Sequence, residues 1–170
     1  MNESELHSRL LNVTSIATDY CSALENARET EKMDFIIEML GYLPKLYIQF
    51  SDIIVEDSVN DIDFEYYPSY VDEDFYDAVR RNVEAVLGED DVFLETFEED
   101  MKYSDTPIAS SISECLADIF QPLYNFVSVV KESDGEQLHG AYAECQENFI
   151  SYWAQILCNV MRALNHLRYK

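Results

Sequence analysis

Turn-forming residues are scarce in this chain. Four glycines and four prolines serve 170 residues, too few for the many corners of a sandwich or barrel of strands. Long apolar runs are missing as well. None approaches the eighteen residues of a membrane-spanning helix, so no span is expected. The opening residues, Met1 to Leu6, carry neither a basic nor an apolar stretch, and no secretory signal is expected. Cysteine pairs at metal or redox spacing are lacking. Cys21, Cys115, Cys145 and Cys158 stand singly among apolar residues in helical patterns. They read as small core hydrophobes in a reducing, cytoplasmic compartment.

Positive charge is also in short supply. Eleven Lys and Arg face 34 Asp and Glu, for a net charge of −23. Phosphate needs a basic patch, so direct nucleic-acid binding is excluded, and anionic membranes are disfavoured by the same Coulomb argument. The imbalance is uneven: residues 52–105 hold 19 acidic and 3 basic residues, the rest 15 and 8. A basic protein partner fits this charge, and a homodimer is compatible with it. An acidic mimic that occupies the basic sites of a DNA-binding protein is an alternative.

Catalytic signatures are absent from the sequence. There is no G-x-S-x-G, no phosphate-cradling glycine loop and no H-E-x-x-H. Glu136 and His139 form one Glu-x-x-His pair, where a carboxylate-bridged di-iron bundle needs two such pairs and two more glutamates. His7, His139 and His166 are not at zinc spacing from cysteine or carboxylate. No metal, cofactor or catalytic residue is therefore predicted.

What remains is a helical pattern rich enough in apolar residues, at 48%, to fold. A single domain of about six helices is expected, arranged as an up-and-down bundle. The first runs from Ser4 to Asn26 and the second from Thr30, read as its cap, to Ile54. Pro44 predicts a kink or break in the second. Residues 55–71 form an acidic connector carrying Phe64, Tyr66, Tyr67 and Tyr70. These aromatics either lie back on the bundle or dock a partner. Asp72 caps a third helix that ends at Leu87 before Gly88. A short fourth helix is read from Asp90 to Met101, and a fifth from Thr106-Pro107 to Val130. Asp134 and Gln137 resemble a capping box in the turn that follows.

The last helix, Ala141 to Leu167, is expected to be central and largely buried. Phe149, Trp153, Ile156, Val160 and Leu164 form its core row. One polar stripe also runs along it: Glu144, Asn148, Tyr152, Gln155, Asn159, Arg162 and His166. The fifth helix has its own polar stripe, Ser111, Glu114, Asp118, Gln121 and Asn125. Folding the two helices about the Ser133-Asp134 turn brings Glu114 and Asp118 level with Asn148, Tyr152 and Gln155, with Arg162 near the start of the fifth helix. Pro122 frees the Asp118 carbonyl. A ligand site across this seam is the alternative to a solvated face, and an enzyme of small molecules or metals is its functional counterpart.

Several of these pieces together resemble a known bacterial family. They are Tyr70-Val71, Leu87-Gly88-Glu89-Asp90-Asp91, Tyr103-Ser104-Asp105 with Pro107, Ser113-Glu114, Leu116-Ala117-Asp118-Ile119, Asn148-Phe149, Tyr152-Trp153 with Gln155, and Arg162-Ala163-Leu164 with His166. The pattern is similar to the domain-of-unknown-function family numbered five thousand and sixty-three. Ala154 departs from it, standing where that family carries glycine. The resemblance implies an all-helical intracellular bacterial protein and supplies no activity, cofactor or catalytic residue. The resulting expectation is a small acidic binding or protein-interaction module without catalytic activity.

Overall fold

The computed structural model describes residues 2–55, 67–95 and 108–170. It is an all-α bundle with one short two-stranded ribbon. Helix α1 spans Glu3–Glu25, α2 Lys32–Asp52, α3 Glu73–Leu87 and α4 Ile112–Glu132. Helices α5, Leu138–Asn148, and α6, Ala154–Arg168, are joined without interruption by a π-helical turn over Phe149–Trp153. Strands β1, Val92–Leu94, and β2, Ala109–Ser111, pair antiparallel, with Val92 opposite Ser111.

Local chemistry explains the helix ends. Asn2 caps α1 by accepting the Glu5 N–H at 2.8 Å, and Asp72 caps α3 by accepting the Phe75 N–H at 2.8 Å. Gly88 closes α3 at φ +58°, a conformation that side-chain-bearing residues resist. The expected Thr30 cap is not used. Helix α2 begins at Lys32 with Glu31 at its cap position. Helix α2 also continues through Pro44 without a break, with Phe35, Ile36, Met39, Leu43, Leu46 and Phe50 buried along both halves. The capping box at Asp134 does not form either. Asp134 takes a positive φ of 50°, and the Ser133 hydroxyl accepts the Gln137 N–H instead.

Two further expectations are corrected. The short fourth helix does not begin at Asp90: a 3-10 turn over Gly88–Asp91 runs directly into β1, and residues 96–101 of that expected helix lie outside the described residues. Val92, Phe93 and Leu94 favour extended backbone, and the segment pairs with β2. The fifth helix of the sequence reading begins at Ile112 rather than Pro107. Ser111 is its cap, accepting the Glu114 N–H at 2.9 Å, after residues 109–111 are used as strand. Thr106 and Pro107 lie outside the described residues.

The core is organised around rings. Phe50 of α2 meets Phe126, Tyr142, Phe149 and Trp153 with centroids 5.0–6.3 Å apart. These neighbours come from α4, α5 and the π turn, so one side chain ties three segments to α2. A second group, Phe75, Phe120 and Tyr124, joins α3 to α4. Tyr20 of α1 and Tyr142 of α5 are fully buried, and each spends its hydroxyl on a backbone carbonyl, of Leu116 and Ile53 respectively, at 2.7 Å.

Against the start of α4 sits Asp91, the carboxylate residue with the least exposed surface among the described residues. Asp91 accepts the Ser113 N–H at 2.7 Å and the Ser113 hydroxyl at 2.6 Å. An acid placed across from a helix N-terminus satisfies orphan amides and meets the positive helix end. Burial nevertheless raises its pKa above the ordinary aspartate value, with the Ser113 bonds opposing that rise. Asp91→Ala leaves these donors unpaired. It is expected to lower the unfolding free energy by about 2–3 kcal/mol, read by urea denaturation, whereas an unchanged midpoint would remove Asp91 from the account of α4.

Candidate functional site

Helix α4 lies between α3 and the π turn on one side of the bundle. There the structure gathers Tyr76 from α3, Glu114 and Asp118 from α4 and Tyr152 from the π turn. The Tyr76 hydroxyl donates to Asp118 Oδ1 at 2.6 Å and reaches the Glu114 carbonyl at 3.5 Å. Tyr152, half-exposed on the π turn, lies near enough to the Asp118 carboxylate to pull its pKa down. Two phenols from different helices thus converge on one half-buried acid.

The electrostatics follow from this geometry. Burial raises the Asp118 pKa; Tyr76 and Tyr152 pull it down, and neighbouring Glu114 pushes it up. Tyr76 is driven far above the usual phenol range, first by burial and then by its bond to Asp118. Tyr152 rises for the same two kinds of reason. No salt bridge reaches Asp118 or Glu114 among the described residues. Arg80 is bound to Asp77 and Glu84, Arg81 to Asp77, and Lys32 and Lys170 to Asp90.

The π turn explains why Tyr152 stands where it does. Core residues Cys145, Phe149, Trp153 and Leu157 recur every four residues, and all are buried. A regular α-helix would rotate such a row about 120° off axis over twelve residues. One wide turn, with the Ala154 N–H bonded to the Phe149 carbonyl five residues back, absorbs that drift. Phe149 and Trp153 then both face Phe50, and Tyr152 is turned toward α4. Ala154, the departure from the family pattern, is the residue whose amide closes this turn.

The remaining residues of the proposed seam divide. Asn148 and Gln155 are exposed on the outer side of the helix. Arg162 is exposed and donates to the Leu94 carbonyl of β1. Asn159 is buried and donates to Glu95 at 3.1 Å, so these two fasten the end of β1 to α6. On α4, Gln121 is exposed, and Asn125 accepts the Tyr70 N–H at 2.7 Å. Of the connector aromatics, Tyr67 and Tyr70 are half-buried against the core, and the Tyr67 hydroxyl donates to Gln137 at 3.0 Å. A side chain at Gly140 would collide with that hydroxyl. Phe64 and Tyr66 lie outside the described residues.

Tyr76 was missed by the sequence reading because it sits among the acids of α3's first turns and offered no seam partner on its own helix. The signal available was its place in the row Tyr76, Val79, Val83, Leu87, whose last three members are buried. The cysteines divide similarly. Cys21, Cys115 and Cys145 are buried as expected, while Cys158 is exposed. Burial pushes the Cys115 thiol up to about 12, that of Cys21 higher still, and that of Cys145 well above the ordinary thiol value. Among the described residues no group of three or more His, Cys, Asp or Glu is disposed to hold a metal, and no helix is long and apolar enough to cross a membrane.

Comparison with known sequences places this arrangement. The model of a domain of unknown function, DUF5063, matches residues 5–170. The chain belongs to that family. Its fold is also that of protein BF1032 from Bacteroides fragilis, a structural-genomics target whose crystal structure is 30% identical, with a TM-score of 0.79 over 95% of this chain and 93% of the other. No curated protein matches. Four of the sequence pieces that carry the family resemblance meet in this DUF5063 fold at two places. Asp91 joins Ser113 at the start of α4, and Asp118 joins Tyr152 at the π turn.

The two phenols have a definite effect on the acid. Each phenol favours the charged form, so Tyr76→Phe should raise the Asp118 pKa further, and Tyr152→Phe should raise it by less. A folded-state pKa above the unfolded value means that this group's contribution to stability falls as pH rises between the two. The Tyr76→Phe protein should extend that fall to higher pH. Carboxyl-carbon NMR titration reads the shift, and a lowered or unmoved Asp118 value would contradict the donor assignment.

Proposed function

We propose that this domain is a non-catalytic interaction module that binds a cationic protein segment at the face formed by Tyr76, Glu114, Asp118 and Tyr152. One observation carries the reading: the Asp118 carboxylate is half-buried, bonded by the Tyr76 hydroxyl and flanked by Tyr152 and a second carboxylate, with no salt bridge to it among the described residues. Keeping an acid in that state costs desolvation, which a lysine or arginine from a partner offsets by Coulomb attraction and by contact with the phenol faces. The surrounding charge of −23 steers such a partner inward.

The same groups are poorly suited to chemistry at neutral pH. The three buried thiols are held protonated by their surroundings, and so are the two phenols. A nucleophile or base needs the opposite displacement. Binding therefore accounts for the arrangement better than catalysis does. The domain's acidic surface also supports a weaker version of the reading, in which basic proteins are attracted without a defined site.

These two versions differ in what local charge removal does. The probe is a twelve-residue peptide of alternating lysine and serine, titrated calorimetrically at several salt concentrations. Glu114→Gln with Asp118→Asn should weaken binding about tenfold or more. The control, Glu3→Gln with Glu5→Gln on the exposed first turn of α1, should change it less than about twofold, the small effect of rim charges. Equal losses in the two double variants would reject a defined site.

A further inference from the structure

Helix α2 presents an apolar stripe to solvent. Met33, Ile37 and Ile48 are 44%, 43% and 58% exposed. They fall on one side of the helix, with Gly41 between them and the half-buried Pro44 beside them. Exposed apolar residues aligned in this way mark a contact surface rather than scattered surface chance. Residues 32–49 hold two lysines and two acids, so this stretch is neutral in a protein of net charge −23.

Gly41 is the second observation. It sits mid-helix, where glycine costs about 1 kcal/mol relative to alanine. A Cβ added there meets nothing within 4 Å, so no packing among the described residues calls for glycine. The open space would admit a second backbone at close range.

We infer that this stripe is the interface with a second copy of the same chain, packed antiparallel across α2. A two-fold contact requires a self-complementary surface, and the spacing supplies one. With the axis between Leu40 and Gly41, Met33 opposes Ile48 of the second copy, Ile37 opposes Pro44, and Gly41 falls at the crossing. Antiparallel helices also bring matching flanks together. Glu38 and Lys45 share one flank and stand two turns apart, too far for a direct contact within their own helix. Across the axis each faces the other's counterpart with opposite sign. Glu38 already accepts the Tyr42 hydroxyl at 3.1 Å through one oxygen, which leaves the second available.

This surface is separate from the Asp118 face, and the inference does not depend on the function proposed for that face. A single helix pair is a small interface, so the dimer should be weak, with a dissociation constant on the order of 10–100 µM. Salt should tighten it, because screening reduces repulsion between two strongly acidic bodies. Binding of a basic peptide would respond in the opposite sense.

Sedimentation equilibrium of the full chain from 5 µM to 500 µM tests the inference. The expected result is a monomer–dimer equilibrium that Ile48→Glu weakens by about a hundredfold or more, since two apolar contacts are lost per dimer. Ile48 is exposed, so the variant should keep its helical circular dichroism. Lys45→Glu and Glu38→Lys should each weaken association about tenfold, and the two together should restore it. A monomer at every concentration, a dimer indifferent to Ile48→Glu, or a charge swap without recovery would each overturn the assignment.

Discussion

The position of Phe50 governs the architecture. Its ring is fully buried and contacts aromatic side chains from α4, α5 and the π turn. Large rings in such a cluster bury extensive apolar area and hold a fixed geometry, so their loss typically costs about 3–5 kcal/mol each. The cluster does more than stabilise. Phe149 and Trp153 can both face Phe50 only if the C-terminal helix widens between them. The widened turn, in turn, aims Tyr152 at Asp118. The candidate site therefore sits on the outer surface of a constraint set in the core, where packing makes it rigid.

The same logic applies at the other end of α4. Asp91, at the end of the 3-10 turn, reaches the amide and hydroxyl of Ser113. The Ser111 hydroxyl accepts the Glu114 amide and shares a hydrogen bond with Ser113 at 2.8 Å. With its first turn held from two directions, α4 has a fixed start. Asp118 lies little more than one turn further along. An acid that must sit half-buried between two phenols needs a helix that does not fray, and this network provides it.

Much of this was legible in the sequence because it follows from period and caps. The long helices, the Asp72 cap and the Gly88 stop were read from residue type and spacing. The errors have physical causes. Val92 to Leu94 was taken as helix because the acids around it resemble a helix start, but only pairing with residues 109–111, remote in sequence, makes it a strand. Pro44 was read as disruptive because its cost is local, whereas the offsetting packing is tertiary. Tyr76 and the Asp91–Ser113 contact were not visible because each joins elements 22 to 42 positions apart. The π turn was readable after all, in the row of four-residue intervals from Cys145 to Leu157, but only if departure from the 3.6 period is treated as information.

The charge of −23 imposes a final constraint on how such a domain can associate. Long-range repulsion opposes any acidic partner, including another copy. Contact can become favourable in only two ways: the partner carries positive charge, or the touching surface is neutral and apolar enough to outweigh repulsion at short range. The chain provides a surface for each. Around Asp118 the carboxylates are left without salt-bridge partners among the described residues and are flanked by phenols. Over residues 32–49 of α2, two lysines and two acids cancel while isoleucine and methionine are exposed. Because salt screens attraction at the first and repulsion at the second, the two surfaces respond oppositely to ionic strength. On the two proposals made above, self-association is strongest at high salt and binding of basic partners at low salt, a consequence of where the few positive residues lie.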